Sequence, residues 1–197
     1  MILLTGGTGQ LGRSMLAHQD HAQYAMMAPS RSELDLADHG SVVKFLEQNR
    51  FSAIVNAGAY TAVDQAESEI DTAWAVNAHA PQLLAAYCQK FNIPLVHIST
   101  DYVFSGYQLH PYKEQDVTGP LGVYGQTKYA GEQAVLASGC PAVILRTAWV
   151  VSPYGKNFIK TMLRLAEQRD EIRVVSDQFG CPTGAGDLAD VIFKLLG

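Results

Sequence analysis

A tyrosine and a lysine stand four positions apart in the stretch VYGQTKYAGE, as Tyr124 and Lys128. On a helix, positions i and i+4 share a face, so a phenol and an ammonium would project together. A free phenol titrates near 10, and a neighbouring cation favours the phenolate and draws that value toward neutrality. Such a pair can hand a proton to an oxygen that is gaining negative charge. A hydroxyl that hydrogen-bonds the same oxygen would stabilise that charge. Thr100, at the end of the apolar run IPLVHIST, is the candidate. Reduction of a ketone calls for these three groups, because hydride addition leaves an alkoxide that needs a proton. The spacing by itself does not decide, since tyrosine and lysine meet on helix surfaces by chance. The chemistry also requires a place for a hydride donor.

That place is legible at the N-terminus. TGGTGQLG joins the apolar run MILLTG to an amphipathic stretch. It satisfies G-x-G-x-x-G through Gly7, Gly9 and Gly12, and G-x-x-G-x-x-G through Gly6, Gly9 and Gly12. One glycine permits the tight turn, one lets backbone N–H groups approach a pyrophosphate, and one lets helix and strand pack closely. The helix start supplies partial positive charge. Gly6, Thr8, Gly9, Gln10 and Leu11 are therefore expected to meet the phosphates of a dinucleotide. About 20 residues further on, an acid would read a ribose 2′-hydroxyl. The chain instead has Ser30 and Arg31 there, which suit a 2′-phosphate and point to NADP. Glu33 and Asp35 are close by and leave NAD open. Asp35 and Leu36 are expected beside the adenine.

These groups must be carried by a regular scaffold. Apolar runs predict strands at residues 1–6, 22–30, 51–60, 93–100 and 141–151, with a short one at 172–177. Helical spacing predicts helices at 10–19, 39–49 (Ser41 as N-cap), 67–91 with a break or second start at Pro81, 124–138, 157–168 and 185–196. Strands that read as continuous apolar runs are buried on both faces, and their alternation with helices implies a parallel, doubly wound α/β sheet of the Rossmann type. In such a sheet ligands bind beyond the C-terminal ends of the strands, which is where Thr100 falls. Residues 1–150 are expected to form the NAD(P)-binding domain, and 151–197 an incomplete substrate lobe continuing on the same domain.

The bulk numbers agree with an enzyme of this kind. The chain has 197 residues, 48% hydrophobic and 17% charged, with a net charge of −5. The absence of a basic excess argues against nucleic-acid binding, and no apolar run reaches the roughly 18 residues of a membrane span. MILLTGGTG lacks a charged leader and is too short for a signal peptide. Cys88, Cys140 and Cys181 are scattered and outside any C-x-x-C, which fits a reducing cytoplasm and no structural zinc. Cys88 reads as core, and Cys181 lies in a Gly/Pro-rich loop that could be placed near a pocket. His97 reads as a buried strand residue, and His18 and His21 as helix-end and turn residues.

The stretches GGTGQLG, VNAGAYTAVDQAE, VNAHAP, HISTDYVFSG, VYGQTKYAGE, ILRTAWVV and SDQFGCPT, in this order, resemble the dTDP-4-dehydrorhamnose reductase family of the extended short-chain dehydrogenase/reductases. The resemblance implies an NADPH-dependent reduction of the C4 ketone of a dTDP-linked 4-keto-6-deoxy sugar to dTDP-L-rhamnose, with Thr100, Tyr124 and Lys128 as the catalytic trio. It implies further that Asn56, Ala57, Gly58, Ala59 and Tyr60 line the adenine-ribose side, that Ser99 adjoins the cofactor, and that Asn77 is a structural support. Asp101, Val103, Phe104, Trp149 and Asn157 would contact the nucleotide sugar. Plain core packing is the other reading of Trp149. A homodimer remains open.

Two departures from the family pattern bear on these expectations. Relatives continue beyond the position of Gly197, so the sugar lobe is expected to be incomplete here. Some relatives bind magnesium through a glutamate two residues after the last phosphate-loop glycine; Ser14 stands there, so no such metal site is expected. Two other functions compete. A sugar-nucleotide dehydratase or epimerase of the same superfamily is one, but a dehydratase uses an Asp-Glu pair after the threonine and Asp101 is followed by Tyr102. A non-catalytic NADP-binding regulatory subunit, like the partner of methionine adenosyltransferase, is the other. It has no need of a proton donor, and the trio is present.

Overall fold

A computed structural model describes residues 1–197. Five parallel strands form the main sheet: β1 (Ile2–Thr5), β2 (Met26–Met27), β3 (Ala53–Asn56), β4 (Leu95–Thr100) and β5 (Ala142–Thr147). Their order across the sheet is β2-β1-β3-β4-β5. The register is continuous, with Leu3 opposite Ile54, Ile54 opposite Leu95 and Thr100 opposite Thr147. The order in which strands are added reverses between β1 and β3, so a crevice opens there beyond the strand ends.

Both faces of the sheet are covered. Leu3, Ile54 and Leu95 point to one side, where α2 (His39–Gln48), α5 (Ala80–Phe91) and α6 (Val123–Ser138) supply Val42, Leu84 and Val135. Leu4, Val55 and Val96 point to the other, against Leu11 and Met15 of α1 (Gln10–Leu16) and Leu188 and Ile192 of α8 (Ala185–Leu196). Full burial of each such side chain contributes about 1.5–3 kcal/mol. This two-sided burial explains why the strands read as unbroken apolar runs.

Several boundaries differ from the sequence reading. The first helix ends at Leu16, and residues 19–23 form a 3-10 turn in place of the start of strand two. Helix α2 is capped by Asp38, whose Oδ1 accepts from the Gly40 N–H at 2.8 Å. Ser41 is not the cap; its hydroxyl accepts from the Asp35 N–H. The helix expected over 67–91 is α4 (Ile70–Trp74), a π-helical turn at Ala75–His79 and α5, and a short helix, α3 (Val63–Ala66), precedes it. Pro81 stands in the first turn of α5, where its missing N–H costs nothing. Strand five stops at Thr147 because Trp149 adopts a left-handed backbone, φ 46°. The chain then turns into β6 (Val150–Val151), which pairs with β7 (Thr183–Gly184) in a separate two-stranded sheet. Residues 172–177 form no strand; the pairing there belongs to β7, after α7 (Phe158–Ala166).

Candidate active site

The crevice is a cavity of about 970 Å³ above the C-terminal ends of β1, β3 and β4. Its floor is the glycine turn. Gly6 has φ +69°, a conformation that glycine adopts without strain, and a Cβ there would fall 2.7 Å from the Ala57 backbone. A Cβ on Gly12 would fall 2.6 Å from the Gly7 Cα, so this glycine permits the close approach of α1 to the turn. The start of α1 receives no side-chain cap, so its first N–H groups face the cavity unpaired. That arrangement suits an anion.

Thr100, Tyr124 and Lys128 all line this cavity, as the glycine turn does. Tyr124 and Lys128 occupy the first two turns of α6, and Thr100 is the last residue of β4. Lys128 is buried, and its Nζ donates to the Ile98 carbonyl at 2.7 Å. Burial draws its pKa down to about 8, against a smaller opposite pull from Glu132. Burial pushes the Tyr124 phenol up to about 12; the Thr100 side chain beside it works the other way. The expected drop of the phenol toward neutrality is therefore not found. Desolvation is the main cause, and the neighbouring Asp101 and Tyr102 add to it. The Thr100 hydroxyl donates to Asp101 Oδ1 at 3.1 Å and accepts from the Tyr102 N–H. Burial raises the Asp101 carboxyl, with these hydrogen bonds acting against the shift.

A layer of polar contacts supports this wall. The Asn77 amide, in the π-helical turn, accepts from the Tyr60 N–H and donates to the Tyr60 carbonyl and to Thr127 Oγ1. It joins the turn after β3 to α6, the structural role expected of it. Gly131 on α6 leaves room for the Asn77 carbonyl, which a Cβ would strike. The Tyr60 hydroxyl donates to Glu69, and both residues line the cavity. His97 is buried with a pKa well below the usual imidazole range, held there by desolvation and by Lys128.

Most residues singled out in the sequence share this one wall. Gly6, Thr8, Gly9, Gln10 and Leu11 lie on the turn side. Arg31, Asp35 and Leu36 lie on the segment after β2. Ala57, Gly58, Ala59, Tyr60 and Ser99 lie between, and Asp101 and Trp149 stand near the trio. Five do not reach the cavity. Asn56 lies beneath it, accepting from Thr5 Oγ1 at 2.6 Å and paired with His97 at 2.9 Å. Ser30 is turned to Glu33, which accepts from both its N–H and its hydroxyl. Val103 is fully buried. Phe104 is buried against Tyr112, ring centroids 4.2 Å apart, and under Arg146. Asn157 caps α7 and donates to Gln10 Oε1, so it acts on the cavity through Gln10. Ser14 hydrogen-bonds the Gln10 carbonyl. Sequence reasoning missed Glu69 and Thr72, which enter the wall from α4 and its approach, and Lys156 beside Gly155. Neither segment carries a motif that points to a ligand.

The fold and this wall define a Rossmann-like α/β protein with a Thr/Tyr/Lys constellation and a glycine turn on one cavity. Comparison with known proteins narrows the class. A family model described as the RmlD substrate binding domain matches residues 1–197, and the chain belongs to that family. It is 45% identical over 195 residues to a dTDP-4-dehydrorhamnose reductase of Aggregatibacter actinomycetemcomitans, covering 98% of this chain and 66% of that protein. A Sinorhizobium fredii protein of the same name is 43% identical over 194 residues, covering 98% and 65%. The crystal structure of a Bacillus anthracis dTDP-4-dehydrorhamnose reductase in complex with NADP superposes with a TM-score of 0.93 at 39% identity, covering 99% of this chain and 69% of that one. The chain thus spans about two thirds of the length of the curated relatives it matches. No helix is long and apolar enough to cross a membrane.

Proposed function

We propose that this protein reduces the C4 ketone of dTDP-4-dehydrorhamnose to dTDP-L-rhamnose with NADPH. The observation that carries the reading is the convergence of Thr100, Tyr124 and Lys128 on the cavity that the glycine turn floors. The similarity to reductases of that name, one of them in complex with NADP, supports it. The cradle fits a dinucleotide because the turn has no room for side chains and the α1 N-terminus has N–H groups to spare. Gly6, Gly9, Gln10 and Leu11 would hold the pyrophosphate, and Arg31 would meet a 2′-phosphate. Bound there, the nicotinamide supplies the hydride.

The side chains of this protein do the rest. Tyr124, with its pKa pushed up to about 12, carries its proton at neutral pH, as a donor in the reducing direction must. In the reaction the Thr100 hydroxyl would turn from Asp101 Oδ1 to the ketone oxygen and, with the phenol, stabilise the charge that develops on it. Lys128, still largely protonated at pH 7 with a pKa of about 8, stabilises the tyrosinate left after proton transfer. Asp101, beside Thr100, would accept from a sugar hydroxyl, and Trp149 would flank the nucleotide sugar. Tyr102 occupies the place where a dehydratase would need its second acid, which weighs against elimination chemistry.

The test is NADPH oxidation at 340 nm with dTDP-4-dehydrorhamnose, following dTDP-L-rhamnose by chromatography. The expected result is stoichiometric product. Tight NADPH binding without turnover on this or other 4-keto sugars would instead favour a binding subunit.

A further inference from the structure

Helix α6 starts without a cap of its own. Its N-cap residue, Gly122, has no side chain to offer, and the N–H of Val123 donates to Glu67 Oε1 at 2.8 Å, from 56 residues away in the sequence. Gly122 has φ −109° and ψ 168°, an extended conformation open to any residue. A Cβ there would stand 2.8 Å from the Glu67 carboxylate oxygen, so a side chain at 122 would have to displace the end of Glu67. Glu67 directly follows α3, whose Val63 and Ala66 pack with Tyr124 in one small cluster. The residue after Val123 is Tyr124 itself.

We propose that Glu67 is a positioning residue for the proton donor: by capping α6 from a distant turn, it fixes the depth at which the Tyr124 phenol stands in the cavity. The inference rests on the reading of Tyr124 as the acid. A helix start leaves its first N–H groups unpaired and carries partial positive charge, and a carboxylate answers both. The helix is pinned a second time one turn later, where Asn77 bonds Thr127. Loss of Glu67 would therefore loosen the first turn while the rest of α6 stays in place. Glu67 is exposed and outside the cavity wall, so it acts only through the helix. Cofactor binding, which depends on the turn before α1, should not notice the change.

Three variants test this: Glu67→Ala, Glu67→Gln and Gly122→Ala. Glu67→Ala should lower kcat about 10-fold, within the range that small misplacements of a reacting group cause, with the Kd for NADPH unchanged. Glu67→Gln keeps an oxygen acceptor and should stay within about 3-fold of wild type, because cap strength depends mainly on that acceptor. Gly122→Ala contests the space of the carboxylate and should shift kcat in the same direction as Glu67→Ala. Amide hydrogen exchange at Val123 and Tyr124, measured by NMR, should accelerate in Glu67→Ala and not in Glu67→Gln. Unchanged exchange in Glu67→Ala would overturn the cap. Accelerated exchange with wild-type kcat would overturn the positioning role, as would a Gln variant as slow as the Ala variant. A wild-type protein that binds NADPH but turns over no 4-keto sugar would remove the acid role of Tyr124 and the proposal with it, an outcome separate from the other three.

Discussion

Glu132 holds Arg146 with both carboxylate oxygens, 2.9 Å from Nε and 2.6 Å from Nη2. The carboxylate is buried one turn beyond Lys128 on α6, and it is the charge that supports the lysine against desolvation. The guanidinium belongs to β5, lies 4.9 Å over the Phe104 ring, and donates to the Glu114 carbonyl. One ion pair thus joins the lysine helix, the edge strand and the segment after the Thr100 turn.

Removing one member of such a pair is costly, because the other is left without compensation. Glu132→Ala should lower stability by about 3 kcal/mol, the low end of the range for buried pairs, since Arg146 keeps some contact with solvent. Urea unfolding checks this. The double variant Glu132→Leu/Arg146→Leu should recover most of the loss, because a matched apolar pair strands no charge. A double variant as unstable as the single one would show that packing is responsible.

Lys128 gives a prediction with a sign. Its pKa of about 8 in the fold compares with 10.5 for an ordinary lysine. Between these values the unfolded chain binds the proton that the folded chain has released, so stability rises with pH through this window. Below pH 8 the full cost of burying the ammonium is present, roughly 3 kcal/mol by the conversion of 1.36 kcal/mol per unit. Lys128→Met should therefore be more stable than wild type at pH 7, by about 1–2 kcal/mol after the Ile98 hydrogen bond is lost, and should have no turnover. The gap between the two proteins should close by pH 10. Tyr124 and Cys88, both pushed up to about 12 by burial, titrate alike in each protein and cancel in the comparison. A gap that does not change from pH 7 to pH 10 would rule out this origin.

Tyr124→Phe isolates the proton donor. The ring keeps its place among Ala66, Ala73 and Val63, so the fold should not suffer. Turnover should fall by about 10² or more, as losses of a catalytic acid do, while the Kd for NADPH stays near wild type. Turnover that survives the substitution would take the role away from this residue.

Much of the site could be read from the sequence because its parts are local. The glycine turn needs residues 6–12, and the Tyr124–Lys128 pair needs one helix face. Strand ends announce themselves where apolar runs meet polar residues, which placed Thr100. What escaped depends on the third dimension. Asn56 ends β3 as expected, but its side chain points under the cavity, to Thr5 and His97. Val103 and Phe104 follow Thr100 by only a few residues, yet the 3-10 turn at Asp101–Val103 carries them away from the cavity wall. Residues 172–177 have an apolar run but no strand beside them. The direction of the Tyr124 shift could not be read at all, since it is set by burial, and Glu67 is 56 residues from the amide it caps.

Under the proposed function, Arg31 and Asp35 would decide which cofactor the cavity prefers. The guanidinium is 78% exposed at the cavity edge and sits 3.4 Å from Asp35 Oδ1. Ser30, which could have shared a phosphate with it, is engaged by Glu33, so the arginine stands alone for that task. A charge-assisted hydrogen bond is worth about 1.5–3 kcal/mol. Arg31→Ala should therefore weaken NADPH binding about 10-fold or more and leave NADH within about 2-fold, as that energy range implies. Asp35→Asn should act oppositely. It releases Arg31 from its ion pair and removes a like charge from the neighbourhood of the 2′-phosphate, so NADPH should bind more tightly relative to NADH. Fluorescence titration of both cofactors against the three proteins reads these ratios. Equal weakening of NADPH and NADH by Arg31→Ala would mean that the arginine meets the adenine or the shared ribose, and the 2′-phosphate assignment would fall.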